Sequence, residues 1–136
     1  FDIYIMSNQA GVGKGIYSES SLKEITGHMR EYFLNRGVKF KDIRYCIHQE
    51  SENCRCRKPK TGMFEDILEN YPNIPKSGFF YVGDTERDIE TARNLGIKSI
   101  LLLSGKTKPH NLDSLQSKPD YLADDLYNAV EEIILK

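Results

Sequence analysis

The sequence has no long apolar run, no surplus of either charge, and no cysteine outside one eleven-residue window. The first absence excludes a membrane helix, which needs roughly 20 consecutive apolar residues, and no secretory signal is visible at the N-terminus. The second, a net charge of -1, gives no general case for nucleic acid or an anionic membrane as partner, although a local field can still gather a small anion. A reducing cytoplasm is the expected setting. At 136 residues the expected organisation is a single domain over residues 1–136, monomeric and large enough to bury a core. No internal repeat or low-complexity segment is present.

The window that holds all the cysteine runs Cys46-Ile47-His48-Gln49-Glu50-Ser51-Glu52-Asn53-Cys54-Arg55-Cys56 and includes one of the three histidines. Three thiolates and an imidazole are a donor set suited to tetrahedral zinc. Partial disulfide pairing is the poorer reading, because the count is odd and only Arg55 separates Cys54 from Cys56. Free thiols, an iron-sulfur cluster and a catalytic thiol are the remaining alternatives, the last lacking a base of its own. Four protein ligands leave no open position for water or substrate, so the zinc is expected to shape a loop that aims its neighbours, Arg57 and Lys58, at something else.

Short β-branched runs alternate with longer amphipathic ones. Ile3–Met6 reads as a strand ending at Ser7, and Ser18 or Ser20 caps a helix through Leu22, Ile25, Met29, Tyr32 and Phe33 that Gly37 stops. Residues 43–47 read as a second strand, a helix opens at Gly62 and ends before Pro72, and residues 79–82 read as a third strand. A helix from about Glu86 to Asn94 closes at Gly96, a fourth strand covers residues 99–103, and 104–118 is polar loop. Tyr121-Leu122 is a candidate edge strand before a last helix from Asp125 to about Leu135. This order implies an α/β fold with a Rossmann-like parallel sheet and helices on both faces, whose ligands collect beyond the carboxyl ends of the strands.

Three polar clusters follow strand ends: Ser7-Asn8-Gln9-Ala10-Gly11, Cys56-Arg57-Lys58-Pro59 and Gly83-Asp84-Thr85-Glu86-Arg87-Asp88. They are expected to converge on a phosphate with a metal. Ser7 offers a hydroxyl, the glycine-rich turn backbone amides, Lys58 a fixed positive charge, and Asp84 a hard oxygen for magnesium. Taken singly, each has a plainer use as turn, solvated surface or helix cap. The run Gly11-Val12-Gly13-Lys14-Gly15 is not a P-loop, since Gly15 stands where Ser or Thr is required and Asn8 where the first glycine belongs. It is read as a flexible turn bordering the substrate.

The ordered set Ser7-Asn8-Gln9, Lys58 in Arg-Lys-Pro, and Gly83-Asp84-x-x-x-Asp88 resembles the second, third and fourth motifs of the haloacid dehalogenase (HAD) superfamily of phosphatases. The cysteine-rich loop is similar to that of the D-glycero-D-manno-heptose-1,7-bisphosphate 7-phosphatases and of the related histidinol-phosphate phosphatases. The runs Asn8 to Gly15 and Lys58-Pro59-x-x-Gly62-Met63 are nearer the heptose branch. The resemblance spans nearly the whole chain. It implies a magnesium-dependent phosphatase that removes the 7-phosphate through an aspartyl-phosphate, on the route to heptose nucleotide precursors of glycans such as lipopolysaccharide. Its implied substrate is a small phosphorylated sugar.

By the same resemblance Ser7 would hydrogen-bond the phosphoryl group, and Asn8, Gln9 and Ala10 would line the substrate. Lys58 would neutralise the group's charge, Arg57 would help select the substrate, and Thr85 would touch it again. Asp84 would hold Mg²⁺, with Asp88 bracing the metal loop, and Cys46, His48, Cys54 and Cys56 would hold Zn²⁺. The family's Asp-x-Asp-Gly nucleophile motif is missing from residues 1–136, and Asp2 is the only acid before Ser7. The expectation is that a central strand carrying it, within a stretch on the order of forty residues, stands before Phe1. A histidinol-phosphate phosphatase is the alternative enzyme, and a non-catalytic zinc-stabilised binding module the alternative of another class.

Overall fold

A computed structural model describes all 136 residues. The chain forms two compact units, residues 1–57 with 62–70, and residues 58–61 with 71–136. Each is built on its own parallel sheet.

The first unit opens with β1 (Ile3–Asn8), followed by a short helix α1 (Ala10–Gly13), the long α2 (Glu19–Leu34) and β2 (Phe40–Cys46). β1 and β2 pair in parallel, with Ser7 opposite Tyr45 and Asn8 opposite Cys46, so both strands end at the same level. Helix α2 starts where Ser18 Oγ accepts from the Ser21 amide at 3.0 Å, satisfying one of the free N–H groups of the first turn. It leans on β2 through Leu22, which is buried, through an edge-on contact of Phe33 with Phe40, and through a 2.9 Å hydrogen bond between Thr26 and Tyr45. After the cysteine loop, α3 (Gly62–Asn70) buries Met63, Phe64 and Ile67.

The glycine-rich segment departs from expectation. Ala10–Gly13 is a helical turn, not a flexible one, with the Lys14 amide donating to the Ala10 carbonyl at 3.0 Å. Its position is fixed from β2: the Gln9 amide donates to the Cys46 carbonyl at 2.7 Å, and the Gly13 amide to that of Ile47 at 3.0 Å.

The second unit carries β3 (Phe80–Gly83), α4 (Glu86–Leu95), β4 (Lys98–Leu102), β5 (Tyr121–Ala123) and α5 (Leu126–Ala129), in strand order β3-β4-β5, all parallel. Successive side chains of a strand point to opposite faces. Leu101 of β4 therefore meets Ile89 of α4 and Leu115 on one side, while Ile100 meets Ala123 and Ala129 on the other. Helices thus cover both faces of this sheet. Leu115 follows a 3-10 turn (Pro109–Ser114) within the stretch read as loop, and the last helix continues past Ala129 as a π-helical segment (Val130–Ile134). No helix is long and apolar enough to cross a membrane.

Entry into β5 is fixed by Asp120. Its Oδ2 accepts from both the amide and the hydroxyl of Ser99 at 2.8 Å, and its own amide donates to Ser99 Oγ at 3.0 Å. The Ser99 amide and hydroxyl hold the Asp120 carboxyl below its ordinary range. A carboxyl depressed in the folded state adds stability above its unfolded pKa and loses it as pH falls through the folded value. Asp120→Asn should therefore lower stability at neutral pH by at most about 0.5 kcal/mol, because Asp120 is exposed and solvent screens its charge. Melting curves of the two proteins should converge below about pH 4; a gap that persists in acid would contradict this account.

Candidate active site and metal centre

In the first unit, every predicted group lies at or just beyond a strand end. Ser7 and Asn8 close β1, Gln9 and Ala10 lead into α1, and Cys46 closes β2. The chain then turns through a 3-10 segment at Glu50–Glu52 and reverses at Asn53, whose φ of 47° is a left-handed conformation that asparagine tolerates better than most residues. That reversal returns Cys54 and Cys56 to Cys46 and His48. The four ligand atoms all lie within 4.8 Å of one another. Individual separations are 2.8 Å for Cys46–Cys56, 3.2 Å for His48 Nδ1–Cys56, 3.5 Å for Cys46–Cys54 and for Cys54–Cys56, and 3.7 Å for Cys46–His48 Nδ1. Zn–S bonds near 2.3 Å put the corners of a tetrahedron about 3.8 Å apart, so the cluster fits an ion after a small expansion.

The thiols differ in acidity. Burial pushes the Cys46 thiol up, and burial together with hydrogen bonding to Cys46 and Cys54 pushes Cys56 up to about 12. At Cys54 burial also disfavours the thiolate, but the Arg57 backbone amide and the neighbouring thiols outweigh it and hold the group down at about 7. The loop is tied to α3 by the Gly62 amide donating to the Arg55 carbonyl at 3.1 Å, and by ion pairs from the Arg55 guanidinium to Glu65 and Asp66. Arg57 follows directly. Its Nη1 is buried without a hydrogen-bond partner, which is costly for a cationic donor and suits an anion.

In the second unit, Lys58 extends to Asp88, with Nζ 2.6 Å from Oδ1 and the two side chains 15% and 5% exposed. The other carboxylate oxygen accepts from the Thr85 hydroxyl at 2.7 Å and the Thr85 amide at 3.2 Å. Asp88 thus caps α4 and holds Lys58 with the same side chain, one turn inside the helix that begins beyond β3. The Lys58 segment is also secured by Asn94 Nδ2, which donates to the Pro59 carbonyl at 3.2 Å.

Asp84 stands between β3 and α4, and the chain beyond β4 comes back to meet it. The Lys106 amide donates to Asp84 Oδ2 at 2.9 Å and the Thr107 amide to the Asp84 carbonyl at 3.0 Å. Gly105 is what permits this approach, because a Cβ there would lie 2.3 Å from both Cβ and Oδ2 of Asp84. Glu86 fastens the far end of the same loop, accepting from the Ser117 amide at 2.8 Å and from the Gln116 amide. None of these supports was read from the sequence. Backbone donors carry no residue signature, although a glycine and a polar run after a strand were visible.

The predicted residues therefore gather in two sets. Ser7, Asn8, Gln9, Ala10, Arg57 and the four cysteine-loop ligands belong to the first unit, and Lys58, Asp84 and Thr85 to the second.

Comparison with known proteins gives this arrangement its relatives. Residues 55–129 match the HAD-hydrolase-like family model. The chain is 40% identical over 104 residues to a probable D-glycero-D-manno-heptose-1,7-bisphosphate 7-phosphatase of Thermoplasma volcanium, covering 75% of this chain and 70% of that protein. It is 34% identical to the D-glycero-beta-D-manno-heptose-1,7-bisphosphate 7-phosphatase of Neisseria meningitidis, across 79% of this chain and only 57% of that one. The histidine biosynthesis bifunctional protein HisB of Campylobacter jejuni is 35% identical over 100 residues, 74% of this chain and 28% of its own length. Among solved structures, the D,D-heptose 1,7-bisphosphate phosphatase of B. bronchiseptica, complexed with magnesium and phosphate, superposes with a TM-score of 0.86 at 25% identity over 98% of this chain and 74% of that one. With a family model matched over more than half its length and this degree of identity, the chain belongs to the HAD-like hydrolase family, alongside the heptose-1,7-bisphosphate 7-phosphatases.

Proposed function

We propose that the protein is a magnesium-dependent phosphatase that takes the 7-phosphate from D-glycero-D-manno-heptose 1,7-bisphosphate. The observation that carries this reading is the Lys58–Asp88–Thr85 network beside Asp84: a cation held almost out of water, next to a carboxylate suited to a hard divalent ion. The likeness to a structure complexed with magnesium and phosphate supports it.

Each unit supplies anion-binding groups at the carboxyl ends of its strands. In the first, the Ser7 hydroxyl donates to a phosphoryl oxygen, Asn8, Gln9 and Ala10 line the sugar, and the Arg57 guanidinium fixes its orientation. In the second, the Lys58 ammonium balances charge that builds on the transferring group, and Thr85 meets the substrate beside it. Asp84 would hold Mg²⁺, which when bound supplies further positive charge to the phosphoryl oxygens. The aspartyl nucleophile that the family resemblance implies has no Asp-x-Asp-Gly counterpart among residues 1–136. The roles assigned here are accordingly binding and charge stabilisation.

Cys46, His48, Cys54 and Cys56 would hold a structural zinc ion, and cysteines that form no disulfide suit a reducing cytoplasm. The enzyme would act as a monomer, its product feeding heptose nucleotide precursors of glycans such as lipopolysaccharide.

Phosphate release from heptose 1,7-bisphosphate and from histidinol phosphate, each with magnesium and with EDTA, tests the reading. In a protein that also carries the aspartyl nucleophile, release from the heptose substrate alone, abolished by EDTA, is expected. Faster turnover of histidinol phosphate would favour the second reading, which the HisB likeness supports. Zinc binding with no release from either would favour a binding module.

A further inference from the structure

Ser7 has one hydroxyl hydrogen, and it can help a phosphoryl dianion only if that hydrogen points at the anion. Its surroundings bear on the choice. Gln9 Nε2 lies 2.9 Å from Ser7 Oγ, and Gln9 Oε1 accepts from the Tyr17 hydroxyl at 2.5 Å. In this arrangement the amide nitrogen donates to Ser7, the serine oxygen accepts, and the serine hydrogen is released to face outward. With the amide reversed, Gln9 Oε1 would take that hydrogen and leave a lone pair facing the phosphate.

The tyrosine favours the first state. A phenol is a stronger donor than acceptor, so its best partner is the amide oxygen, and a donated O–H at Oε1 turns the amide nitrogen toward Ser7. Tyr17 is also held firmly. Ser18, the next residue, caps α2, and the ring lies against α1 at Gly11, where a Cβ would sit 2.1 Å from a ring carbon. Gly11 and Tyr17 are thus one device, a bare stretch of backbone and the ring that rests on it.

We propose that Tyr17 is a positioning residue for phosphoryl binding: through Gln9 it sets the direction of the Ser7 hydroxyl, keeping Ser7 a donor to the substrate's phosphate. The inference rests on the reading of Ser7 as a phosphoryl ligand, and it assigns a role to a residue ten positions away that does not touch the phosphate.

The test is a double-mutant cycle on the full chain with magnesium, reading inorganic phosphate affinity by calorimetry and kcat/KM on heptose 1,7-bisphosphate. Ser7→Ala should weaken both by roughly tenfold to a hundredfold, the range for a hydrogen bond to a charged group. Tyr17→Phe, which keeps the ring on Gly11, should weaken both by up to about tenfold. Placed in the Ser7→Ala background, Tyr17→Phe should change neither, because the hydroxyl it orients is gone. A merely structural tyrosine would add its loss in either background. Gln9→Met supplies a second cycle, in which Tyr17→Phe should again be silent.

A full effect of Ser7→Ala with an additive or absent effect of Tyr17→Phe overturns the relay and leaves the phosphatase reading standing. No effect of Ser7→Ala overturns both.

Discussion

Lys58→Ala should lower turnover of heptose 1,7-bisphosphate, in a protein that also carries the aspartyl nucleophile, by about a hundredfold or more, the scale for removing a fixed charge contact to a reacting centre. Preorganisation is the reason. The ammonium is 15% exposed and held 2.6 Å from a carboxylate that is itself 5% exposed, so it needs no reordering as charge builds on the phosphoryl group. The same variant has a second consequence. Removing one partner of a buried pair leaves the other charge uncompensated, at a cost of about 3–5 kcal/mol, so part of any lost activity could be lost protein. A double variant, Lys58→Ala with Asp88→Asn, separates the two. It should recover much of the melting temperature, because no unbalanced carboxylate remains, yet turnover should stay low. Single-turnover kinetics on folded protein is the appropriate measurement. Near-normal turnover for Lys58→Ala would remove Lys58 from the chemistry.

The elements were legible where a long pattern repeats. Helix α2 was read from its apolar spacing and a cap at Ser18 or Ser20, of which Ser18 is the one used, and α4 from its start at Glu86 and its close at Gly96. β2 was read as starting three residues late and ending one late, the late start because Lys41 and Asp42 look like loop. They join the strand through pairing with β1, Ile3 against Phe40 and Tyr4 against Asp42, a tertiary influence that overrides local preference. α1 carried no signal at all: four residues, two of them glycine, cannot show a helical period. Leu115 lies with Leu112 in a polar stretch read as loop, yet it completes the contact of Ile89 with Leu101.

The site divides in the same way. The four loop donors were legible because they fall close together in the chain, so a single turn suffices to gather them. Asp84 and Lys58 were legible as motifs, and Asp88 as a brace of the metal loop, but the loop amide on Asp84 and the grip of Asp88 on Lys58 were not. Lys106 supports Asp84 through a backbone amide, and Asp88 serves Lys58 and Thr85 at once. The link from Tyr17 through Gln9 to Ser7 lay hidden for a different reason. It depends on which end of an amide faces which neighbour, something no spacing of letters encodes.

Zinc uptake by the cysteine loop should be steeply pH-dependent, and its direction follows from the thiols. Cys46 is raised and Cys56 is raised to about 12, so both are protonated at neutral pH, whereas Cys54 at about 7 is near half ionised. Bound as thiolates, the three must shed their protons to the solvent. Binding should therefore release about two to three protons from the cysteines, and affinity should climb by about two to three orders of magnitude per pH unit between pH 6 and 7. Competition against a chromophoric chelator at several pH values measures the slope, and calorimetry in buffers of different ionisation enthalpy counts the protons. Cys56→Ser should abolish stoichiometric zinc and lower the melting temperature, since binding energy at a structural site is folding energy. The loop should not be released altogether. The Gly62 amide still holds the Arg55 carbonyl, and Arg55 still pairs with Glu65 and Asp66, but the arginine side chain is 62% exposed and such pairs are worth little. Metal loss should therefore speed amide exchange across residues 47–57 while β2 and α3 stay protected. A flat pH profile, or a Cys56→Ser protein that keeps its zinc and its melting temperature, would show that these four side chains are not a metal site.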